Sequence, residues 1–260
     1  MQELNARQKE ILELVRKQGF VSIEALAQRF DVTTQTIRRD INALCKQRLL
    51  RRYHGGAGLP SSVENLAYTA RKVLNLEEKR RIARLLAAQV PDQASLFITL
   101  GTTTEEIARA LHGHRGLRVI TNNMHVAMLM SGYQDCEVIL AGGVVRSRDH
   151  GITGESTVDF FRQFRVDLAL IGISGIDSDG TLLDFDFHEI NVLQAAIANA
   201  RQTWLAADHS KFGRHALVRL GPVSMVDALF TDVEPPPRLA AALAEAGVQL
   251  HIAAADQNRT

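Results

Sequence analysis

The sequence predicts an α/β protein in two parts: an N-terminal winged helix-turn-helix, then a larger doubly wound domain with a mainly parallel sheet. Three observations carry this reading. Two short amphipathic helices are joined by the tight turn Asp31-Val32, and a Gly-Gly hairpin signal follows them. From Ser95 onward, short apolar runs alternate with helical patterns, as strands and crossover helices do. Charge is also uneven: residues 1–58 hold eleven Lys/Arg against six Asp/Glu, a net of +5, while the remainder carries −4. A basic unit on an acidic body suits a polyanionic partner for the first part.

Length and composition bound the alternatives. With 260 residues, 46% of them apolar, the chain can bury one large and one small core, and its near-balanced charge excludes bulk disorder. No apolar run approaches the roughly 18 residues of a membrane helix. The first twenty residues lack an apolar h-region, so no secretory signal is expected, and the protein reads as cytoplasmic. Cys45 and Cys136 cannot build a disulfide framework and have no CxxC spacing. They read as small apolar fillers in a reducing cytosol, with no metal or cofactor implied.

The elements follow in order. Asn5 with Gln8 is a capping-box pattern, Ile11, Leu12, Leu14 and Val15 give the first helix its apolar stripe, and Gly19 stops it. Ser22 caps a second helix, Ile23 to Phe30. Thr33 caps a third, which runs to about Lys46 and opens with Thr34 and Thr36. At roughly 100° per residue, Ile37, Ile41 and Leu44 share one stripe of this helix. Gln35, Arg38, Arg39, Asn42 and Lys46 fall opposite, and the single acid, Asp40, lies at the core edge, within reach of an Arg. Guanidinium and amide groups on such a face suit the major groove of double-stranded DNA. Arg bonds guanine O6 and N7 bidentately, and Gln or Asn bonds adenine N6 and N7. Leu49 to Gly56 then reads as a β-hairpin carrying Arg51, Arg52 and His54, a wing laid along phosphates.

Residues 1–58 thus form the DNA-binding domain, 59–75 a connector, 76–253 the second domain and 254–260 a flexible tail. Asn75 with Glu78 is another capping-box pattern, and Lys79, Arg80, Arg81 and Arg84 of the helix behind it read as a solvated face. Five strands follow, centred on residues 96–100, 117–121, 137–141, 166–173 and 204–207, and each ends in polar or glycine residues. In doubly wound sheets ligands bind at these carboxyl ends. Gly101-Thr102-Thr103-Thr104 joins a strand to a helix start, where backbone N–H groups and hydroxyls can converge on an anion. Asn122-Asn123 and Gly142-Gly143 end the neighbouring strands. Arg146, Arg148 and Lys211 are the available cations, and Asp177 and Asp179 are acceptors for ligand hydroxyls, although Gly-Ile-Asp-Ser-Asp-Gly is also a plain turn signal.

Thr33-Thr34-Gln35-Thr36-Ile37-Arg38-Arg39-Asp40-Ile41, with Arg7, Ile11 and Val15 before it and His54-Gly55-Gly56 after it, resembles the DeoR-type bacterial repressors. The resemblance runs from about Leu4 to Ile252. It implies a winged helix joined to a sugar-phosphate sensor similar in fold to ribose-5-phosphate isomerase. Further stretches narrow it: Arg146-Ser147-Arg148-Asp149, Gly172 to Gly180, and Asp208-His209-Ser210-Lys211-Phe212-Gly213. They are similar to the branch of the family that answers to glycerol 3-phosphate. The implied function is a repressor, acting as a dimer or tetramer, that releases operator DNA when this small phosphorylated metabolite binds.

An enzyme reading rests on the isomerase-like fold, with Asp177, Asp208 and Lys211 near strand ends. One departure weighs against it. Many members of the family carry a Lys-Arg pair where this chain has Leu193 and Gln194, so basic chemistry is missing there. A shared fold alone assigns no reaction.

Overall fold

The computed structural model describes residues 4–18, 20–47, 49–53, 55–58, 67–253 and 255. Two compact units divide the chain, residues 1–76 and 77–260. No helix among the described residues is long and apolar enough to cross a membrane.

The first unit holds α1 (Ala6–Gln18), β1 (Phe20–Ser22), α2 (Ile23–Phe30), α3 (Thr34–Lys46), β2 (Arg51–Tyr53), β3 (Gly56–Gly58) and α4 (Tyr68–Val73). Local side-chain chemistry sets its helix starts. Gln8 N donates to Asn5 Oδ1 at 2.8 Å and Asn5 N to Gln8 Oε1 at 3.2 Å, a reciprocal cap on α1. Ser22 Oγ accepts from Ala25 N, and Thr33 Oγ1 accepts from Thr36 N. Asp31 ends α2 in the left-handed region (φ 49°), with its N–H on Ala27 O and Gln28 O. The three helices then bury Ile11, Val15, Leu26, Ile37 and Leu44 completely, each worth about 1.5–3 kcal/mol of transfer from water.

A three-stranded antiparallel sheet, in the order β1-β3-β2, closes this unit. Gly56 has no room for a side chain: a Cβ there would lie 2.4 Å from both Phe20 Cζ and Val21 O. The strand β1 was not expected from the sequence, because three residues carry too little pattern and their partner is far along the chain. Within the expected connector, α4 forms, and Ala70 and Leu74 pack on Phe20 and Tyr53. Gly19, His54, residues 59–66 and most of the 254–260 tail lie outside the described residues.

The second unit runs α5 (Leu76–Ala87), β4 (Ser95–Ile98), α6 (Thr102–Ala110), β5 (Leu117–Thr121), α7 (Met124–Met130), β6 (Cys136–Leu140), α8 (Glu155–Phe161) and β7 (Val166–Gly172). It continues with β8 (Gly175–Ile176), β9 (Thr181–Asp184), α9 (Phe187–Ala198), β10 (Ala200–Ala206), β11 (Val218–Pro222), β12 (Ala228–Thr231), α10 (Pro237–Glu245) and β13 (Gln249–Ile252). Seven strands form one wholly parallel sheet in the order β13-β12-β10-β7-β4-β5-β6. The chain runs outward through β4, β5 and β6, returns to β7 beside β4, and runs outward again. The order therefore reverses between β4 and β7, which is where such sheets open a ligand crevice. One apolar core lies on each face of the sheet.

Three further features differ from the sequence reading. The strands β12 and β13 and the small antiparallel sheet β11-β9-β8 were not anticipated. Asn75 takes a left-handed φ of 51° instead of the extended conformation usual for an N-cap. Lys79 is buried, 2% exposed, and does not join Arg80 and Arg84 on a solvated face.

Candidate functional site

In the first unit, α3 separates its faces as its periodicity requires. Ile37, Ile41 and Leu44 are buried, while Thr33, Thr34, Gln35, Arg38, Arg39 and Asn42 are exposed and Thr36 is half-buried. The buried Asp40 anchors the helix: it accepts from Arg7 Nε at 2.6 Å and from Gln8 Nε2 at 3.1 Å. The one acid is thereby turned away from the polar face. Arg52 Nη1 donates to Asn42 Oδ1 at 3.1 Å, tying the hairpin to α3. Arg51 lies over the Tyr53 ring, 5.9 Å from its centroid. Thr33 and Thr36 bond each other at 3.0 Å and serve the helix cap. The result is an exposed guanidinium and amide face beside the β2-β3 edge of a three-stranded sheet, with groups that suit base edges and phosphates.

In the second unit, the crevice between β4 and β7 holds the Gly101–Thr104 loop. A Cβ on Gly172 would lie 3.8 Å from Leu100 O and from Thr104 Cγ2, so the ends of β4 and β7 are in contact. Gly101 precedes α6 with φ 149°, and no side chain caps that helix. The first-turn N–H groups of α6 have no intrahelical partner, and the helix dipole adds positive potential there. Thr102 and Thr103 are buried at this end. Thr104 Oγ1 donates within the loop, to Thr99 O at 2.8 Å and Gly101 O at 2.7 Å.

The ends of the neighbouring strands carry the other predicted polar residues. Asn122 and Ile152 exchange bonds, Nδ2 to O at 2.8 Å and N to O at 2.9 Å. Asn123 is a helix cap, accepting from His125 N at 3.0 Å. Gly142 is exposed, and Gly143, with φ 143°, faces Ile152. Lys211 follows β10 on a short 3-10 turn behind the buried Asp208. In that turn His209 Nδ1 meets Asp232 Oδ2 at 2.6 Å, and Asp232 Oδ1 accepts from His209 N at 2.7 Å. The hydrogen bond to Asp232 raises the His209 pKa above 6.5; burial opposes this, and the charges of Asp232, Asp208 and Glu78 add to the rise.

Two groups of predicted residues have partners within the chain. Arg146 is held by three carboxylates: Asp149 through two bonds (3.1 and 2.7 Å), Asp186 at 2.8 Å and Glu189 at 2.7 Å. Arg148 bonds the same Asp186. These cations therefore clamp the segment after β6 to the start of α9, and four of the five donors of Arg146 are engaged. Burial pushes the Asp186 carboxyl up, but the His188 N–H and the Arg146 charge hold it below the usual range. Asp177 and Asp179 form the turn between β8 and β9, accepting from Ser178 N and Thr181 N. That turn packs on Val223 and on Ala242 of α10, and no hydrogen bond joins either Asp to the Gly101–Thr104 loop. Among the buried polar groups that sequence reasoning passed over are Glu105, Thr157, Asp184, Arg214 and Asp232. Asp184 and Asp232, each close behind an apolar run, left a readable signal.

Residues 7–63 match the DeoR-like helix-turn-helix domain, and residues 74–233 match the DeoR C terminal sensor domain. The chain belongs to the DeoR family of transcriptional regulators. It is 52% identical over 242 residues to the glycerol-3-phosphate regulon repressor of Escherichia coli (strain K12), covering 93% of this chain and 96% of that protein. The repressor of the same name from Haemophilus influenzae is 49% identical, covering 88% and 89%. The HTH-type transcriptional repressor CsqR of Escherichia coli is 43% identical, covering 95% and 94%. Among solved structures, ribose 5-phosphate isomerase A from Methanocaldococcus jannaschii aligns with a TM-score of 0.40 and 16% identity, over 53% of this chain and 55% of that one. The DeoR family is one of regulators, not of enzymes, so the isomerase-like reading of Asp177, Asp208 and Lys211 is set aside.

Proposed function

We propose that this chain represses genes of glycerol 3-phosphate metabolism and leaves its operator when glycerol 3-phosphate binds the second unit. The 52% identity to the Escherichia coli glycerol-3-phosphate regulon repressor, spread over nearly both whole chains, carries the reading. Residues 1–58 read double-stranded operator DNA through Thr33, Thr34, Gln35, Thr36, Arg38, Arg39 and Asn42, with Arg51, Arg52 and His54 on the phosphates. Residues 59–75 connect this part to the sensor, residues 76–253, and 254–260 form a tail. The protein acts in the cytoplasm as a homo-oligomer, because one recognition helix covers too few base pairs for a unique genomic site.

The effector phosphate lies at Gly101–Thr104, where the N–H groups of α6 and the Lys211 ammonium supply donors. Asn122, Asn123, Gly142 and Gly143 shape the surrounding strand ends. Release requires the ligand to favour the DNA-incompetent state, and a coupling of about 1–3 kcal/mol, roughly 5–150-fold, is the usual range. A mobility-shift titration of full-length protein on operator DNA tests this against a panel of phosphorylated metabolites. Glycerol 3-phosphate releases the DNA, and free glycerol does not. Release by a different sugar phosphate alone would keep the sensor and overturn the regulon.

A further inference from the structure

Among the described residues, three buried oxygens near the carboxyl ends of β4 and β5 have no hydrogen-bond partner: Thr99 Oγ1 and Asn122 Oδ1 just past those strands, and Thr157 Oγ1 in α8. Buried polar atoms are nearly always bonded, and an unmade bond costs about 1–3 kcal/mol. Three such atoms in one place point to something that bonds them.

The topology does place them together. Phe97 pairs with Ile120 and Ile98 with Thr121 across β4 and β5. One step further, Thr99 and Asn122 are neighbours, on the same face as Phe97 and Ile120 by the two-residue alternation of strands. Phe161 of α8 stacks on Phe97, with centroids 4.8 Å apart. Thr157 lies one turn before Phe161, about 6 Å towards the start of α8. Thr99 lies two residues beyond Phe97, about 6.6 Å towards the carboxyl end of β4. The start of α8 is at that same end, because Ile152, just ahead of it, is bonded to Asn122 through both its N–H and its carbonyl. Thr157 therefore stands over Thr99, with Asn122 alongside.

The chemistry of the set is specific. Asn122 Nδ2 is already engaged, so Oδ1 offers an acceptor, and the two Thr hydroxyls can each donate and accept. A neutral hydroxyl satisfies all of this: its O–H donates to Asn122 Oδ1, and its two lone pairs accept from the two Thr hydroxyls. A phosphate oxygen cannot donate to Asn122. The cluster is also tied to the anion loop, since Thr104 Oγ1 bonds the carbonyls of both Thr99 and Gly101.

We infer that Thr99, Asn122 and Thr157 form a hydroxyl-reading subsite for the neutral polyol end of the effector, beside the phosphate loop. This rests on the effector reading given above. The three oxygens are sealed, so the ligand enters only when the segment joining β6 to α8 lifts from the strand ends, and it is enclosed once bound.

The test is calorimetry on the full chain with glycerol 3-phosphate and its two singly deoxygenated analogues, 2-hydroxypropyl phosphate and 3-hydroxypropyl phosphate. On the wild type, at least one analogue binds about tenfold more weakly, the loss of roughly one hydrogen bond. In Thr157→Val and in Thr99→Val, affinity for glycerol 3-phosphate falls by a similar factor and that discrimination shrinks towards unity. Their melting temperatures do not drop, because an unpartnered hydroxyl has been removed. If the wild type binds glycerol 3-phosphate and neither variant changes the discrimination, the subsite is overturned while the effector reading stands. Lowered melting temperature with unchanged discrimination, the mark of a buried water, overturns it equally. If the wild type ignores glycerol 3-phosphate, the effector reading fails and the subsite with it.

Discussion

Replacing Arg146 by Ala separates two roles for that residue, a clamp and a phosphate ligand. Its side chain is 17% exposed, and the three carboxylates it bonds are 8, 19 and 20% exposed, so solvent screens the cluster only slightly. Removing one partner of a buried ion pair costs about 3–5 kcal/mol, because charge is left uncompensated. Arg148 stays bonded to Asp186 but is 61% exposed, which places the expected loss near the lower end, about 3 kcal/mol. For a unit of this size, that lowers the melting temperature by roughly 6–12 °C. The deficit also depends on pH. The Arg146 charge helps hold the Asp186 carboxyl below its ordinary value, so the stability this contributes is present above the unfolded value and lost as pH falls through the folded one. The gap between wild type and variant therefore narrows in acid, and thermal unfolding of both proteins at pH 7 and pH 3 measures this. An unchanged melting temperature combined with lost glycerol 3-phosphate affinity would refute the clamp and restore Arg146 as a direct ligand.

Three further outcomes are expected. Arg38→Ala and Arg39→Ala each cost about 1–3 kcal/mol on operator DNA and relax one base preference, if a bidentate base contact is lost; equal small losses on scrambled DNA would demote them to phosphate contacts. Arg52→Ala flattens the slope of log K against log salt by about 0.9 per phosphate contact, and an unchanged slope would remove Arg52 from the phosphates. The raised His209 pKa contributes stability that is fully present below pH 6.5 and lost as pH rises through the folded value. The stability gap between wild type and His209→Asn therefore narrows from pH 6 to pH 9 in chemical denaturation, and a constant gap would contradict the ion pair with Asp232.

What was legible in the sequence was local. Asn5 with Gln8, Ser22 and Thr33 cap their helices through side chains one turn away, so short spacing sufficed. The face division of α3 and the strand ends at Gly101 and Asn122 followed from periodicity and from polar residues after apolar runs. What failed was non-local. The carboxylates on Arg146 include Asp186 and Glu189, 40 and 43 residues away, and nothing near Arg146 announces them. Lys79 stands in a charged run that imitates a solvated face, and its burial arises only from tertiary packing. Thr157 gains its meaning only once Phe161 is seen to stack on Phe97. Asp177 and Asp179 show the reverse: the local turn signal sufficed, because their backbone donors lie one and two residues away.

The central claim is that one ligand and one operator compete through a single protein. Linkage requires that each weaken the other by the same factor. The decisive measurement is the affinity of the full-length protein for glycerol 3-phosphate by calorimetry, with and without saturating operator DNA. The account predicts that operator weakens glycerol 3-phosphate binding by roughly 5–150-fold, matching the factor by which glycerol 3-phosphate weakens operator binding. Equal affinities in the two titrations would contradict it.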